Sequence, residues 1–175
     1  MVLIKNFLFF IFIGHLLFAI PSNTKDINLD KFLEKKITNS LSKVFDTNNF
    51  QYKEIKKNYN GIIFEVFDDS RPLGYFALCR AKSMYDVFDY AIFFDLDSQI
   101  KDIRIFSYNE DYGYEITARW FLKQFFGKKA GDRMSYNYDI DGISGATVSV
   151  KSITNDIKNT SKEVSEIVID KFYGF

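Results

Sequence analysis

Nine consecutive residues, Asp141-Gly142-Ile143-Ser144-Gly145-Ala146-Thr147-Val148-Ser149, gather the side chains of this chain that could do chemistry. A turn rich in Gly, Ser and Thr runs there directly into a long helical pattern. The start of a helix leaves backbone N–H groups without partners at the positive end of the helix dipole, which makes a seat for a phosphate. Thr147 puts a secondary hydroxyl where that phosphate would sit. Gly142 and Gly145 let the backbone turn tightly and approach an anion closely, and Ala146 keeps the space beside Thr147 small. Ser144 and Ser149 can hydrogen-bond to a phosphate or cap the helix. Asp141 is placed to orient the turn. Lys151, one turn beyond Thr147 on the same face, is either a counter-charge or a solvated lysine. The same residues also suit an ordinary loop ended by a Ser or Thr N-cap, which needs only one well-placed oxygen. A nucleotide P-loop is excluded, because the Gly-Lys-Ser/Thr ending is missing.

The rest of the composition narrows the chemistry by elimination. The only His is His15, the only Cys is Cys79, and His15 lies inside an apolar run from Phe7 to Ile20 that follows Lys5. That arrangement reads as an export signal over residues 1–22, cleaved or, on the rival reading, kept as a single-pass anchor. Either way the chain is expected outside the cytoplasm, and its mature part has no His. Ser–His–Asp and Cys–His nucleophile systems, a Cys/His zinc site and an internal disulfide are therefore excluded. No acidic calcium-loop pattern is present, and Cys79 sits in an apolar strand pattern as a plain buried thiol. Formal net charge is zero with both signs interspersed, which favours neither nucleic acid nor an anionic membrane surface as partner. Any chemistry must come mainly from a cofactor.

The elements that position the nine residues are legible in the hydrophobic pattern. Leu29–Phe45 reads as an amphipathic helix with Leu29, Phe32, Leu33, Ile37, Leu41, Val44 and Phe45 on one face. Strand patterns follow at Gln51–Lys57, Ile62–Phe67, Leu73–Lys82, Val87–Phe94 and Ile100–Ser107, separated by turn signals at 58–61, 68–72 and 95–98. Ile116–Phe126 reads as a short helix with Ile116, Trp120, Phe121 and Phe125 facing in, stopped by Gly127. From Thr147 a stripe of Val148, Ile153, Ile157, Val164, Ile167 and Val168 marks the last helix, with a break expected near Asn159. This order implies an α+β domain, a mostly antiparallel sheet packed with helices.

The nine-residue run resembles the flavinylation motif of the FMN-binding domain family, D-G-[IV]-[ST]-G-A-T-x-[ST]. That family includes the C subunit of the sodium-pumping NADH:quinone oxidoreductase and the G subunit of the Rnf electron-transport complex. Upstream, Tyr108-Asn109-Glu110-Asp111-Tyr112-Gly113-Tyr114-Glu115 is similar to the family's H-x-E-T-P-G-x-G segment. Glu110 and Gly113 hold its Glu and first Gly, whereas its His, Pro and second Gly are absent. Asp89–Asp95 and Trp120–Phe125 are similar to the smaller exported members. The resemblance covers roughly residues 59–160, which places an FMN-binding domain over 59–175, preceded by a linker, helix and first strand over 23–58.

The resemblance implies FMN joined to Thr147 through a phosphoester, with Asp141, Ser144, Gly145, Ala146 and Ser149 around the phosphate. It puts Glu110 and Gly113 near the flavin ring, with Tyr112 or Tyr114 as stacking partners in preference to Trp120, read as core. It also implies a separate flavin transferase, using FAD and Mg²⁺, and membrane or periplasmic redox partners for an electron carrier. A non-redox interaction domain that keeps the motif without flavin is the alternative. An enzyme with its own substrate is a third reading, with Tyr, Glu or Lys as acid–base groups.

Overall fold

The computed structural model describes residues 31–58 and 61–174. The apolar run read as an export signal, with His15, and also Leu29 and residues 59–60 lie outside the described residues. The chain forms helix α1 (Lys31–Phe45), strands β1 (Gln51–Lys57), β2 (Gly61–Asp68), β3 (Arg71–Lys82), β4 (Val87–Phe94) and β5 (Ile100–Ile105), then a long C-terminal helix. The five strands lie in sequence order as one antiparallel meander. The α+β expectation holds.

Alternation along the central strands explains why they read as nearly continuous apolar runs. On β3, Tyr75, Ala77, Cys79 and Ala81 point to one face while Phe76 and Leu78 point to the other. On β4, Phe88, Tyr90, Ile92 and Phe94 share the first face, and Ala91 and Phe93 the second. Helix α1 covers the second face through Leu33, Ile37 and Leu41, and the C-terminal helix covers the first through Val150, Ile153, Ile157 and Val164. Small side chains at 77, 79 and 81 let that long helix lie close on β3. Strand β1 is an exposed edge carrying Lys53, Lys56 and Lys57, charges that discourage pairing with other chains.

Several expectations are corrected by packing. Phe32 points to solvent at 65% exposure, with the Lys36 ammonium 4.1 Å from its ring centre, so α1 presents a narrower apolar stripe than expected. Pro72 lies within β3, opposite Phe67, where a register shift accommodates its missing N–H. The expected helix 116–126 is three short pieces: a 3₁₀ turn at Tyr114–Thr117, α2 at Arg119–Leu122 and a second 3₁₀ turn at Lys123–Phe125. Ile116, Phe121 and Phe125 are buried as expected, but Trp120 is 53% exposed and meets Phe121 edge-on. Helix α3 (Thr147–Tyr173) is unbroken over 27 residues, without a break at Asn159. Its core stripe uses Val150, while Val148 faces out. Ser161, whose hydroxyl donates to the Ile157 carbonyl, continues the buried face.

Candidate functional site

Helix α3 opens at Thr147, with Ala146 as its N-cap residue and no side-chain oxygen capping it. The first helical hydrogen bond runs from Val150 N–H to the Ala146 carbonyl at 2.9 Å. The N–H groups of Thr147, Val148 and Ser149 are the helix-start donors that such a bond leaves over. Ser144 and Thr147 are both exposed beside them. The N-cap alternative is thus not what these residues do: neither hydroxyl closes the helix.

The turn before the helix is shaped by close backbone approach. Gly145 has φ +78°, a conformation that suits Gly, and a Cβ on it would stand 3.0 Å from Tyr112 Cβ. Gly113, φ +74°, lies so close that a Cβ there would overlap Ala146. The two stretches singled out in the sequence are therefore packed against each other at Gly113 and Ala146, far apart along the chain. On the other flank a Cβ on Gly142 would meet Asn137 Oδ1 at 2.5 Å and Tyr136 Oη at 3.1 Å. Asp141 is exposed, and its N–H donates to Gln124 Oε1 at 2.8 Å, so its backbone anchors the turn. Lys151 lies over the Tyr136 ring at 5.1 Å, which holds its charge one turn from Thr147.

Two of the singled-out side chains carry hydrogen bonds within the protein that the sequence does not announce. Ser149 is buried and exchanges a 3.0 Å hydrogen bond with Tyr108, the residue standing where the family pattern has His. Burial raises the Tyr108 phenol pKa, and the Ser149 bond partly offsets it. This pair locks the start of α3 to the 108–114 segment. Glu110 turns to the β3–β4 turn: it accepts from the Ser83 hydroxyl, from Tyr85 N–H at 3.0 Å and from Asp86 N–H at 3.3 Å. Those bonds, the Ser83 one foremost, hold its carboxyl below the usual range. Lys82 N–H donates to Ser152 Oγ at 2.9 Å, so the same turn is also pinned to α3. The β3–β4 turn is the part of the site that sequence reasoning missed, because nothing at 83–86 signals a motif.

The segments tied to the motif carry large exposed side chains. Tyr85 is 90% exposed, Tyr112 76%, Tyr114 65% and Met84 58%, and all four belong to segments tied to the motif by the contacts above. Tyr114 meets Tyr108 edge-on at 6.3 Å. Behind the site, under α3, lies a separate polar cluster. The Tyr90 hydroxyl donates to Asp156 Oδ2, Asp156 Oδ1 has no partner, and Cys79 Sγ lies 3.9 Å from Thr160 Oγ1. Burial pushes the Cys79 thiol up and raises Asp156 to about 6. Cys79 is therefore an inert core thiol, as expected. Among the described residues no group of His, Cys, Asp and Glu could hold a metal ion, and no helix is long and apolar enough to cross a membrane.

The last helix of this α+β domain starts uncapped, behind a turn whose Gly145 lies against Tyr112, and so leaves N–H donors open to an anion beside an aromatic side chain. The model of the FMN-binding domain family matches residues 86–162, from the β3–β4 turn through the motif to the middle of α3. That stretch is similar to the FMN-binding domain, which supports a flavin-binding protein. No curated protein matches the chain. The donor set fits the FMN phosphate: helix-start N–H groups, the Ser144 hydroxyl and a nearby Lys151, in a turn whose glycines let the neighbouring segments pack close.

Proposed function

We propose that the protein is an extracytoplasmic electron carrier whose FMN is joined covalently to Thr147. The observation that carries this is the exposed Thr147 hydroxyl at the first position of an uncapped 27-residue helix, directly after Gly145-Ala146. Of the three hydroxyls in the motif, Ser149 is committed to Tyr108 and buried, and Ser144 precedes the helix. In the reaction we envisage, Thr147 Oγ1 forms a bond to the flavin-side phosphorus of FAD, the pyrophosphate P–O bond breaks, AMP leaves, and the hydroxyl proton is released. None of the described hydrogen bonds engages Thr147 Oγ1, so its activation falls to the modifying flavin transferase with Mg²⁺.

Bound FMN supplies reversible one- and two-electron redox chemistry. The chain's own residues hold and shield it: helix-start N–H groups with Ser144 for the phosphate, Lys151 for its charge, and the Tyr112–Tyr114 side for the ring. A covalent bond suits a carrier exported behind Lys5 and the apolar Phe7–Ile20 run, where a lost cofactor has no cellular pool to replace it. Membrane or periplasmic redox partners follow from that location.

Intact mass after co-expression with a flavin transferase in an exporting host tests the reading. Wild type should gain one FMN less water, and its flavin fluorescence should survive denaturing electrophoresis. Thr147→Ala should fold and lose that band, and Ser149→Ala should keep it. Covalent flavin persisting in Thr147→Ala would move the site elsewhere. Wild type that folds and stays colourless beside an active transferase would favour the interaction-domain alternative.

A further inference from the structure

The β3–β4 turn has a pair of exposed side chains, Met84 and Tyr85, that core packing does not explain. Its backbone is nonetheless held firmly. Glu110 gathers the Ser83 hydroxyl and the N–H groups of Tyr85 and Asp86, and Ser152 on α3 accepts from Lys82 N–H. Two residues beyond Glu110, Tyr112 lies against Gly145, and Tyr114 follows. One carboxylate thus couples a turn carrying Met84 and Tyr85 to a segment carrying Tyr112 and Tyr114; the segment packs on Gly145 and Ala146 just before Thr147, and the turn is pinned to Ser152 just after it. Large apolar side chains clustered in the open mark a surface meant to be covered. Rings prefer a flat partner at stacking or edge distance, and the domain's own ligand carries a flat three-ring system.

Resting on the reading that FMN is anchored at Thr147, we propose that the β3–β4 turn is one wall of a clasp for the isoalloxazine. Tyr85, with Met84, forms that wall, and Tyr112 forms the opposite one. Glu110 is a positioning residue that latches the two walls together as a carboxylate and does not itself touch the ring. The family-like Glu is then read by its three donors rather than by the flavin.

The test uses flavinylated full-length protein: wild type, Tyr85→Ala, Tyr112→Ala and Glu110→Ala, each with its FMN confirmed by intact mass. Flavin fluorescence is compared between the folded and urea-unfolded forms, together with its quenching by iodide. In wild type the folded protein should be several-fold dimmer than the unfolded one and poorly quenched by iodide, because tyrosine stacking darkens a flavin and covers it. Tyr85→Ala and Tyr112→Ala should each brighten the folded form several-fold and expose it to iodide. Glu110→Ala should do the same with Tyr85 still present. Tyr85 is almost wholly exposed, so Tyr85→Ala folds and keeps the test decisive even if Glu110→Ala does not. Flavin attached by mass but insensitive to Tyr85→Ala overturns the clasp and leaves the rim to a partner protein. Absence of FMN from wild type, with the transferase active on a control, overturns instead the attachment reading beneath it.

Discussion

Asp156 offers the sharpest energetic test of how α3 is mounted on the sheet. Its carboxyl is 7% exposed between α3 and β4, Tyr90 donates to one oxygen, and the other oxygen has no partner. Burial, reinforced by the charge of Glu163 and opposed by the Tyr90 hydrogen bond, raises its pKa from 3.8 to about 6. A group that holds its proton more tightly when folded stabilises the fold below its unfolded pKa. That contribution is lost as pH rises through the folded value. A displacement of about two units corresponds to about 3 kcal/mol at roughly 1.4 kcal/mol per unit. Asp156→Asn keeps an acceptor for Tyr90 and cannot ionise. The stability difference, Asp156→Asn minus wild type, should therefore be flat below about pH 4. It should rise by about 3 kcal/mol between pH 4 and 7, and stay flat above. Urea unfolding of both proteins across that range measures it, since titrating groups not coupled to Asp156 cancel in the difference. Parallel pH profiles for the two proteins would refute the reasoning, because the carboxyl would then be ionised at no cost in the folded state.

Gly113→Ala should lower stability by roughly 1–3 kcal/mol, since the residue would hold a left-handed φ and its Cβ would overlap Ala146. Because Ala146 precedes Thr147, flavin attachment should fall as well, readable as the holo fraction by intact mass; attachment at the wild-type level with unchanged stability would contradict the packing. Ser149→Ala should destabilise by about 1 kcal/mol or more through the stranded Tyr108 hydroxyl. Adding Tyr108→Phe should recover much of that loss, as a double-mutant cycle in urea would show.

Much of the scaffold was legible because it follows short-range rules. Strand 87–94 stands where aromatic and β-branched residues put it, strand 51–57 where the turn signal at 58–61 puts it, and Gly127 ends its segment with φ +76°. The Gly-Ala-Thr run marked the start of α3 because turn and helix chemistry are local. Phe32 and Trp120 were misplaced because apolarity alone does not say which neighbour arrives to cover a side chain; α1 needed only Leu33, Ile37 and Leu41 to cover its face of the sheet. The segment 114–125 breaks at Ala118, whose backbone is extended, and just beyond the break Arg119 pairs with buried Asp102, a partner on β5 that local sequence does not reveal.

What the amino-acid sequence by itself determined is the chemistry available: a hydroxyl at a helix start, no His after His15, one thiol, and therefore a borrowed cofactor. What only the tertiary structure decided is which of those groups are free to act. Ser149 and Thr147 are both hydroxyls two residues apart, yet the helix turns one into the Tyr108 interface and leaves the other in solvent. Glu110 likewise looks like a ligand-facing acid until the β3–β4 turn arrives to occupy it. The reason is physical: residue type and local propensity act over a turn or two of chain. Burial and hydrogen-bond pairing are set by which distant strand or loop packs alongside, and that is a property of the whole fold.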